Sequence, residues 1–454
     1  MKLGAVHTRW IPVYLLGCVL STPAAHGFVT PNQGSGLGSR VGPGPSRSTT
    51  SDEEVVQINP IVAAVKVSKT VEVFGLVKQM EAEGQIVTSL CVGEPDFPPP
   101  KAVLDAAIAA ISDGETRYTA VTGTAALRNA IAADLKRRKG LDYNPQNEIV
   151  VGNGAKQSVY QGVLATCGPG DQVVIPAPYW PSYPEMASLA GAEPVIVETT
   201  SDSGYLLTPE ALRQALTEHS KCKLLILCNP SNPTGGVYNQ EQLEGLAKVL
   251  RDFPKVVVLA DEIYERLVYE GECISFASIP GMFDRTLTIN GFSKAYAMTG
   301  MRLGYVAAPQ KLAKAVTTIQ SQLTSCAGSI SQAAGVAALT KVSDEELEQN
   351  VNIMKEKRDY VLGELEKMPG VKVAIPPSGA FYVLPDVSGY FGGDDTELCL
   401  QLLKRKNLAI VPGSSFGAPG TVRLSYATSM EELRTAMRKL SEFLEEEREY
   451  SPNA

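Results

Sequence analysis

The sequence contains very little histidine, with three residues in 454. His7 and His26 fall in the first 50 positions, which leaves His219 for the rest of the chain. The composition therefore argues against a histidine-based catalytic triad and against a histidine-rich metal site. Proton transfer in an enzyme built on this chain has to depend on lysine, tyrosine or carboxylate side chains.

Cysteine is also sparse and shows no pattern. Seven of the eight cysteines lie beyond the first 50 residues, and no two of them are spaced as Cys-x-x-Cys. An odd number of scattered cysteines predicts buried free thiols rather than a disulfide framework. Together with the scarcity of histidine, this predicts that the protein has no metal site.

Acidic residues are absent from the first 50 positions, which contain four basic residues. Without this segment the net charge changes from −8 to −12, so the rest of the chain is distinctly acidic. Because an acidic surface repels phosphates, we expect neither nucleic acid nor an anionic membrane as a partner of the mature protein.

Two kinds of targeting signal follow each other in this segment. Residues 11–20 are apolar and come after a basic start, with small residues around Ala25, which is typical of a signal peptide too short to span a membrane. Residues 28–51 are rich in serine, glycine and proline and lack acids, as transit peptides do. The combination resembles the bipartite plastid presequence of algae with secondary plastids. We therefore predict that residues 1–51 are a leader that is removed on import into a plastid, with plain secretion as the alternative.

Short apolar runs rich in β-branched residues recur through the middle of the chain, separated by stretches of helical periodicity. The runs are continuous rather than alternating, which is typical of strands covered by helices on both faces. We predict an α/β fold with a mainly parallel sheet, whose ligands bind beyond the carboxyl ends of the strands. The seven predicted strands are residues 149–151, 173–176, 194–197, 224–227, 256–260, 287–289 and 303–307.

The pattern changes beyond about residue 330. Residues 345–368 and 430–447 have the charged, amphipathic pattern of helices, and residues 380–384 have the apolar pattern of a strand. A second, smaller α+β domain is therefore expected in this part of the chain.

Four polar motifs occur in a defined order. Asn232 lies in a proline-rich segment, Asp261 directly follows an apolar run, and Arg302 comes eight residues after Lys294. A desolvated lysine can bind an aldehyde, an arginine can bind a phosphate with two N–H groups, and a carboxylate can bind the nitrogen of a pyridine ring. Each residue alone would be an ordinary surface charge, turn or helix cap. Their joint order favours a site for an aldehyde cofactor.

These motifs resemble those of the fold type I pyridoxal-phosphate enzymes, specifically the class I and II aminotransferases. The resemblance extends over nearly all of the chain after about residue 55. It implies pyridoxal 5'-phosphate as the cofactor and a large αβα domain around a seven-stranded sheet, at residues 96–330. It also implies that residues 52–95 fold with residues 331–454 as the small domain.

The resemblance implies catalytic and cofactor-binding roles for the four motifs. Lys294 would be the Schiff-base lysine and the base for the proton shift, and Asp261 would bind the pyridine nitrogen. Asn232, which would also border the substrate, and Tyr264 would bind the ring oxygen. Arg302 would bind the phosphate.

The loop at residues 152–156 follows a predicted strand and opens a predicted helix, so that its N–H groups can bind an anion. In the resembled family Gly154, Ala155 and Lys156 lie near the cofactor phosphate. Tyr118 matches a tyrosine that reaches the phosphate of the neighbouring subunit. The resemblance therefore implies a homodimer with shared active sites.

Further residues match substrate-binding positions of the family. Arg423 would clamp the α-carboxylate of the substrate, next to a backbone contact from Gly93, and Trp180 would stack on the pyridine ring. Lys156 would face the distal carboxylate of a dicarboxylic substrate, and Thr70 would assist with prephenate.

The segment at residues 93–97, together with Lys156 and residues 68–70, looks most like the bacterial-type aspartate aminotransferases and their plant relatives that also use prephenate. The resemblance implies a ping-pong transfer of the amino group of aspartate or glutamate to a keto acid, either 2-oxoglutarate or oxaloacetate, with prephenate as a further acceptor. A pyridoxal-phosphate-dependent lyase or an aminotransferase for another amino acid stays open as an alternative. A ligand-sensing regulator is disfavoured, because such proteins carry a basic DNA-binding module at the amino end. This chain has the predicted leader at that position, and the rest of the chain is acidic.

Overall fold

The computed structural model describes residues 58–65 and 69–450. The predicted leader, residues 1–51, lies outside these ranges. Two helices and a short strand come first in the described part of the chain. They are α1 (Pro60–Ala64), α2 (Lys69–Ala82) and β1 (Thr88–Ser89).

A seven-stranded sheet follows and positions most of the candidate site residues. Its strands are β2 (Ile149–Gly152), β3 (Gln172–Ala177), β4 (Glu193–Glu198), β5 (Cys222–Cys228), β6 (Val257–Asp261), β7 (Thr286–Gly291) and β8 (Gly304–Ala307). The strand order is β2-β8-β7-β6-β5-β3-β4. All seven predicted strands are confirmed, each to within a few residues at its ends.

The sheet is mainly parallel, as predicted, with one exception. The strand β8 is antiparallel to both of its neighbours, β7 and β2. Only residues 292–303 connect β7 to β8, and they contain no regular helix. Because a parallel connection needs a longer crossover, usually through a helix, this short connection returns as an antiparallel strand.

In the part of the chain that the structure describes, eight helices lie between residues 101 and 341. They are α3 (Lys101–Ser112), α4 (Ala125–Lys139), α5 (Ala155–Thr166), α6 (Ser182–Leu189), α7 (Pro209–Glu218), α8 (Gln240–Asp252), α9 (Gln310–Leu323) and α10 (Ser329–Lys341). No helix in the described part of the chain is both long enough and apolar enough to cross a membrane.

Alternate side chains of β5 pack on opposite faces of the sheet. Leu225 and Leu227 belong to one hydrophobic cluster with Leu243 of α8, whereas Leu224 and Ile226 belong to another with Val159 of α5. All six side chains are buried, and each contributes about 1.5–3 kcal/mol to the free energy of unfolding. Burial on both faces explains why the strand is a continuous apolar run.

The last third of the chain adds helices and two small sheets. The elements are α11 (Asp344–Leu365), β9 (Tyr382–Val383), α12 (Asp395–Lys406), β10 (Leu408–Ala409), β11 (Val411–Pro412), β12 (Val422–Ser425) and α13 (Met430–Tyr450). Strands β11, β12 and β9 form an antiparallel sheet, and β1 pairs in parallel with β10. Short 3-10 helices lie at Ser201–Ser203, Phe276–Ser278, Phe283–Arg285, Phe391–Gly393 and Gly413–Phe416.

The two helices predicted for this last part of the chain are confirmed as α11 and α13, and the predicted strand is shorter than expected. Pairing with β12 involves only residues 382 and 383, because the neighbouring apolar residues are buried in the core without joining the ladder. The division into a large and a small domain stays a prediction.

The seven cysteines of the described residues are free thiols, as their odd number predicts. Five of them are buried, whereas Cys228 and Cys326 are only partly buried.

Candidate active site

A cavity of about 330 Å³ opens at the carboxyl edge of the large sheet. It is lined by residues that are far apart in the sequence. The predicted site residues that line it are Gly93, Ala155, Lys156, Trp180, Asn232, Asp261, Tyr264, Lys294, Arg302 and Arg423. Four of these side chains are cations, so the cavity is suited to ligands with more than one negative charge.

Lys294 lies three residues beyond the end of β7 and points into the cavity. Its Nζ donates a hydrogen bond to the carbonyl oxygen of Gly93 at 2.6 Å. Burial lowers the pKa of Lys294 to about 8. The carboxylate of Glu94 opposes this shift, whereas the charges of Arg423 and Arg302 add to it. The amine is therefore neutral in a substantial fraction of molecules near neutral pH and available as a nucleophile.

Asp261 is the last residue of β6 and is buried. The hydroxyl of Tyr183 donates to its Oδ2 at 2.7 Å, and the N–H of Ile263 donates to its Oδ1 at 3.3 Å. Burial raises the pKa of Asp261 to about 6, against the lowering effect of these two hydrogen bonds. A cationic partner inside the cavity would stabilise the charged form of this buried carboxylate.

Two cations face the amino end of α5. The side chain of Arg302 lies against Gly154, and the Nζ of Lys156 is 5.1 Å from the ring centroid of Trp180. Neither cation has a carboxylate partner within salt-bridge distance among the described residues. Helix α5 begins at Ala155 without a side-chain cap, so its first N–H groups and its dipole also face this end of the cavity. The arrangement fits a phosphate.

Arg423 lies on β12 at the other side of the cavity and is buried. Its Nη1 donates to the Oδ1 of Asn232 at 3.2 Å, and its Nη2 donates to the carbonyl oxygen of Cys91. The guanidinium carbon also contacts the rings of Tyr382 and Phe416, with centroid distances of 4.5 and 4.8 Å. This packing fixes the plane of the fork, as the recognition of a carboxylate requires.

Two of the predicted residues that the structure describes, Gly154 and Tyr118, do not line the cavity. Gly154 lies just behind it, and its φ of +90° allows Arg302 to approach the loop closely. The side chain of Tyr118 is 89% exposed. Thr70 lies in the first turn of α2, and its side chain is outside the described residues.

The sequence reasoning missed several side chains that the fold brings to the cavity. Tyr183 binds Asp261, Tyr382 binds Tyr264, and Ser293 borders Lys294. Only Tyr183 leaves a signal in the sequence, since it follows Trp180 by three residues, the spacing of neighbours on one helical turn. The two rings are in edge-to-face contact, with centroids 5.3 Å apart.

A family model described as aminotransferase class I and II matches residues 85–440 of the chain. The chain belongs to the class I and II aminotransferases. An aspartate aminotransferase of Pinus pinaster is 48% identical over 402 residues, which are 86% of this chain and 81% of the relative. A bifunctional aspartate aminotransferase and glutamate/aspartate-prephenate aminotransferase of Petunia hybrida is 47% identical, over 86% of this chain and 83% of the relative.

Solved structures agree with the family assignment. The crystal structure of the aspartate aminotransferase from Rhizobium meliloti has a TM-score of 0.81 and 39% identity, and the match covers 86% of this chain and 99% of that one. The likeness establishes the fold type I architecture that the sequence motifs imply.

As a class I and II aminotransferase, the protein uses pyridoxal 5'-phosphate. The residues present fit this group. Arg302 and the uncapped amino end of α5 suit the phosphate, and Lys294 is an amine with a lowered pKa. Asp261 is a buried carboxylate with no cation within salt-bridge distance among the described residues. The donor set therefore matches an aldehyde, a phosphate and a pyridine nitrogen in one cavity.

The capture of cofactor by the aminotransferase apoenzyme is expected to depend on pH. Lys294 must be neutral to attack an aldehyde, so the rate of capture should rise by about tenfold per pH unit below the lysine pKa and level off above it. Stopped-flow absorbance, with borohydride trapping as a check, should give a midpoint near the pKa of about 8. A midpoint at the ordinary lysine value of 10.5 would contradict the effect of burial.

The variant Gly154→Ala tests the phosphate end of the cavity. A Cβ at this position would lie 2.6 Å from the Nη2 of Arg302, and the φ of +90° is strained for any residue with a side chain. We expect the dissociation constant of pyridoxal 5'-phosphate to rise on the order of tenfold, measured by titration of the apoenzyme. The control is Gly168→Ala, where an added Cβ meets nothing within 4 Å. Equal affinities in the two variants would contradict the assignment.

Proposed function

We propose that this aminotransferase moves the α-amino group of aspartate or glutamate to a keto acid, with 2-oxoglutarate or oxaloacetate as the acceptor. The observation that carries the proposal is the distribution of cations in the cavity. Arg302 is next to the helix end that suits a phosphate, and Arg423 and Lys156 remain as separate cations. Two further cations can bind the two carboxylates of one dicarboxylic substrate. The printed names of the pine and petunia relatives support the same substrates.

The roles of the site residues follow from their contacts. When bound, pyridoxal 5'-phosphate supplies an aldehyde that condenses with amines and a ring that accepts electrons. Lys294 would hold the aldehyde until the amino group of the substrate replaces it. Its free Nζ would then accept the proton from the substrate Cα and donate it back on the cofactor side. A lysine with a lowered pKa suits both halves of this transfer.

The remaining residues would orient the substrate and stabilise the charge that develops at its Cα. Asp261 keeps the proton on the pyridine nitrogen, so that negative charge at the substrate Cα is accepted by the ring. Tyr264 and Asn232, which line the cavity, would donate hydrogen bonds to the ring oxygen, and Trp180 would stack on the ring. Arg423 fixes the α-carboxylate with its planar fork, which orients the Cα–H bond toward Lys294.

The test is the half-reaction of the purified mature protein. We expect L-aspartate, added without a keto acid, to convert the cofactor absorbance from the aldehyde form to the amine form. Addition of 2-oxoglutarate should restore the first spectrum, and restoration by prephenate would add that acid as an acceptor. If the spectrum does not change, or if pyruvate accumulates without an acceptor, aspartate transamination is wrong and a lyase takes its place.

The variant Lys156→Ala separates the distal carboxylate from the rest of the substrate. Loss of a charged hydrogen bond in the complex should lower kcat/KM for aspartate by about 10- to 100-fold. Alanine has no distal carboxylate, so its kcat/KM should change by less than about threefold. Lys311→Ala, at an exposed position of α9, is the control. Equal losses for aspartate and alanine would sink the assignment of Lys156.

A homodimer with shared sites is part of the proposal. Large apolar side chains are exposed near Tyr118, including Ile108 at 63% and Ile111 at 57% on α3. Exposed apolar patches of this kind are typical of subunit interfaces. Analytical ultracentrifugation should give twice the mass of one chain at micromolar concentration, and a monomer with full activity would contradict it.

We also propose that the protein acts in a plastid. The acid-free composition of the first 50 residues supports this, and the family match begins after that segment, at residue 85. Residues 1–51 fused to a fluorescent protein should direct it to plastids, whereas export to the medium would favour secretion.

A further inference from the structure

We infer that Tyr382 is a positioning residue that couples the substrate clamp to the cofactor site. The inference rests on the proposed roles of Arg423 and Tyr264, and it deepens them. Tyr382 lines the cavity and is buried. It contacts Arg423 with the face of its ring and Tyr264 with its hydroxyl. A single side chain therefore touches both halves of the site.

The hydroxyl contact determines where the proton of Tyr264 points. The two phenol oxygens are 2.8 Å apart, and the two rings are nearly perpendicular, at 82°. Both side chains are buried, so water does not compete for this hydrogen bond. If the hydroxyl of Tyr264 donates to the ring oxygen of the cofactor, its own oxygen must accept from Tyr382. Tyr382 thus fixes the donor direction of Tyr264.

The ring contact acts on the clamp. The guanidinium carbon of Arg423 is 4.5 Å from the centroid of the Tyr382 ring and 4.8 Å from that of Phe416. These two ring contacts and the hydrogen bonds to Asn232 and Cys91 restrict the movement of the fork. A cation on the face of a phenol also polarises that phenol and strengthens its hydroxyl as a donor. The charge of Arg423 therefore strengthens the hydrogen bond that the hydroxyl of Tyr382 donates to Tyr264.

A third contact connects Tyr382 to Lys294. A Cβ placed on Gly93 would lie 2.1 Å from the hydroxyl oxygen of Tyr382, so this oxygen is packed directly against the Gly93 backbone. The carbonyl oxygen of the same residue accepts the hydrogen bond from Lys294. The position of Tyr382 consequently limits the position of the acceptor that holds the lysine.

The test compares two variants of the holoenzyme without its predicted leader, residues 1–51. Tyr382→Phe keeps the ring on Arg423 and removes the hydroxyl. We expect the dissociation constant of pyridoxal 5'-phosphate to rise by about 3- to 10-fold and the pH midpoint of the bound-cofactor spectrum to shift, with KM for aspartate changed less than about twofold. Tyr382→Leu also removes the ring, and KM should rise further, on the order of tenfold.

A double-mutant cycle separates coupling from a general loss of packing. If Tyr382 acts through Tyr264, the variant Tyr264→Phe/Tyr382→Phe should bind cofactor no more weakly than Tyr264→Phe alone. Tyr143→Phe is the matched control, because its buried hydroxyl binds Thr288 away from the cavity, and it should leave cofactor affinity unchanged.

Additive losses in the cycle, or an unshifted cofactor spectrum in Tyr382→Phe, would overturn the inference. Misfolding of Tyr382→Leu alone would leave the decision with the Tyr382→Phe variant and the cycle. The cofactor measurements need no amino donor. Failure of aspartate as the substrate would therefore be seen separately, in the half-reaction of the unmutated enzyme.

Discussion

Replacing Lys294 with alanine should lower kcat by at least about 10⁴-fold, because one side chain supplies both the nucleophile that holds the cofactor and the base that moves the Cα proton. The Nζ reaches the cavity beyond the end of β7, and burial lowers its pKa to about 8. Borohydride treatment followed by mass spectrometry should find the cofactor attached in the unmutated enzyme and absent in the variant.

Two controls define what is lost in Lys294→Ala. Lys294→Arg keeps the positive charge but cannot supply a neutral amine at ordinary pH, so it should be as inactive as the alanine variant. A small primary amine added to Lys294→Ala should restore part of the proton transfer. If Lys294→Ala retained activity within about tenfold of the unmutated enzyme, another residue would have to be the base.

Replacing Asp261 with asparagine should slow the half-reaction with aspartate by about 10²- to 10³-fold. The substitution keeps the shape of the side chain and the hydrogen bond from Tyr183, and it removes the charge that would keep a proton on the pyridine nitrogen. Rapid-mixing absorbance with L-aspartate measures this step directly. A rate within a few-fold of the unmutated enzyme would exclude Asp261 as the partner of the ring.

The same variant has a second expected result that concerns stability. Burial raises the pKa of Asp261 to about 6, so above that pH the apoenzyme holds a carboxylate whose charged form the fold disfavours. Asparagine removes this cost. The Tm of the apoenzyme at pH 8 should therefore stay the same or rise in Asp261→Asn, whereas Asp252→Asn, at an exposed surface position, should change it little. A large fall in Tm would mean that the carboxylate is structural.

The sequence is sufficient to predict the central sheet, because strands buried on both faces leave continuous apolar runs that are too short for helices and rich in β-branched residues. It does not reveal that β8 runs antiparallel, since direction depends on the connection and not on the apolar run itself. The strand at Tyr382 is shorter than its apolar run, because burial without ladder pairing gives the same composition.

The candidate site, like the fold, is only partly predictable from the sequence. Asp261 ends strand β6 and Lys294 lies three residues beyond β7, so their meeting at one edge of the sheet is predictable from the pattern of the chain. Their chemical roles came from a family resemblance. Tyr382 and Ser293 were missed, because a tyrosine in an apolar run or a serine beside a lysine has no distinguishing pattern before the fold brings it to the cavity.

The antiparallel strand β8 has a consequence for turnover. Gly291 and Gly304, at the two ends of the segment that carries Lys294, are direct partners in the β7–β8 ladder. The segment is thus a closed loop whose ends cannot separate without breaking the sheet. Its backbone therefore has little conformational entropy to lose or gain during turnover. If Lys294 binds the cofactor as proposed, only its four methylene groups need to move when that bond breaks and forms again.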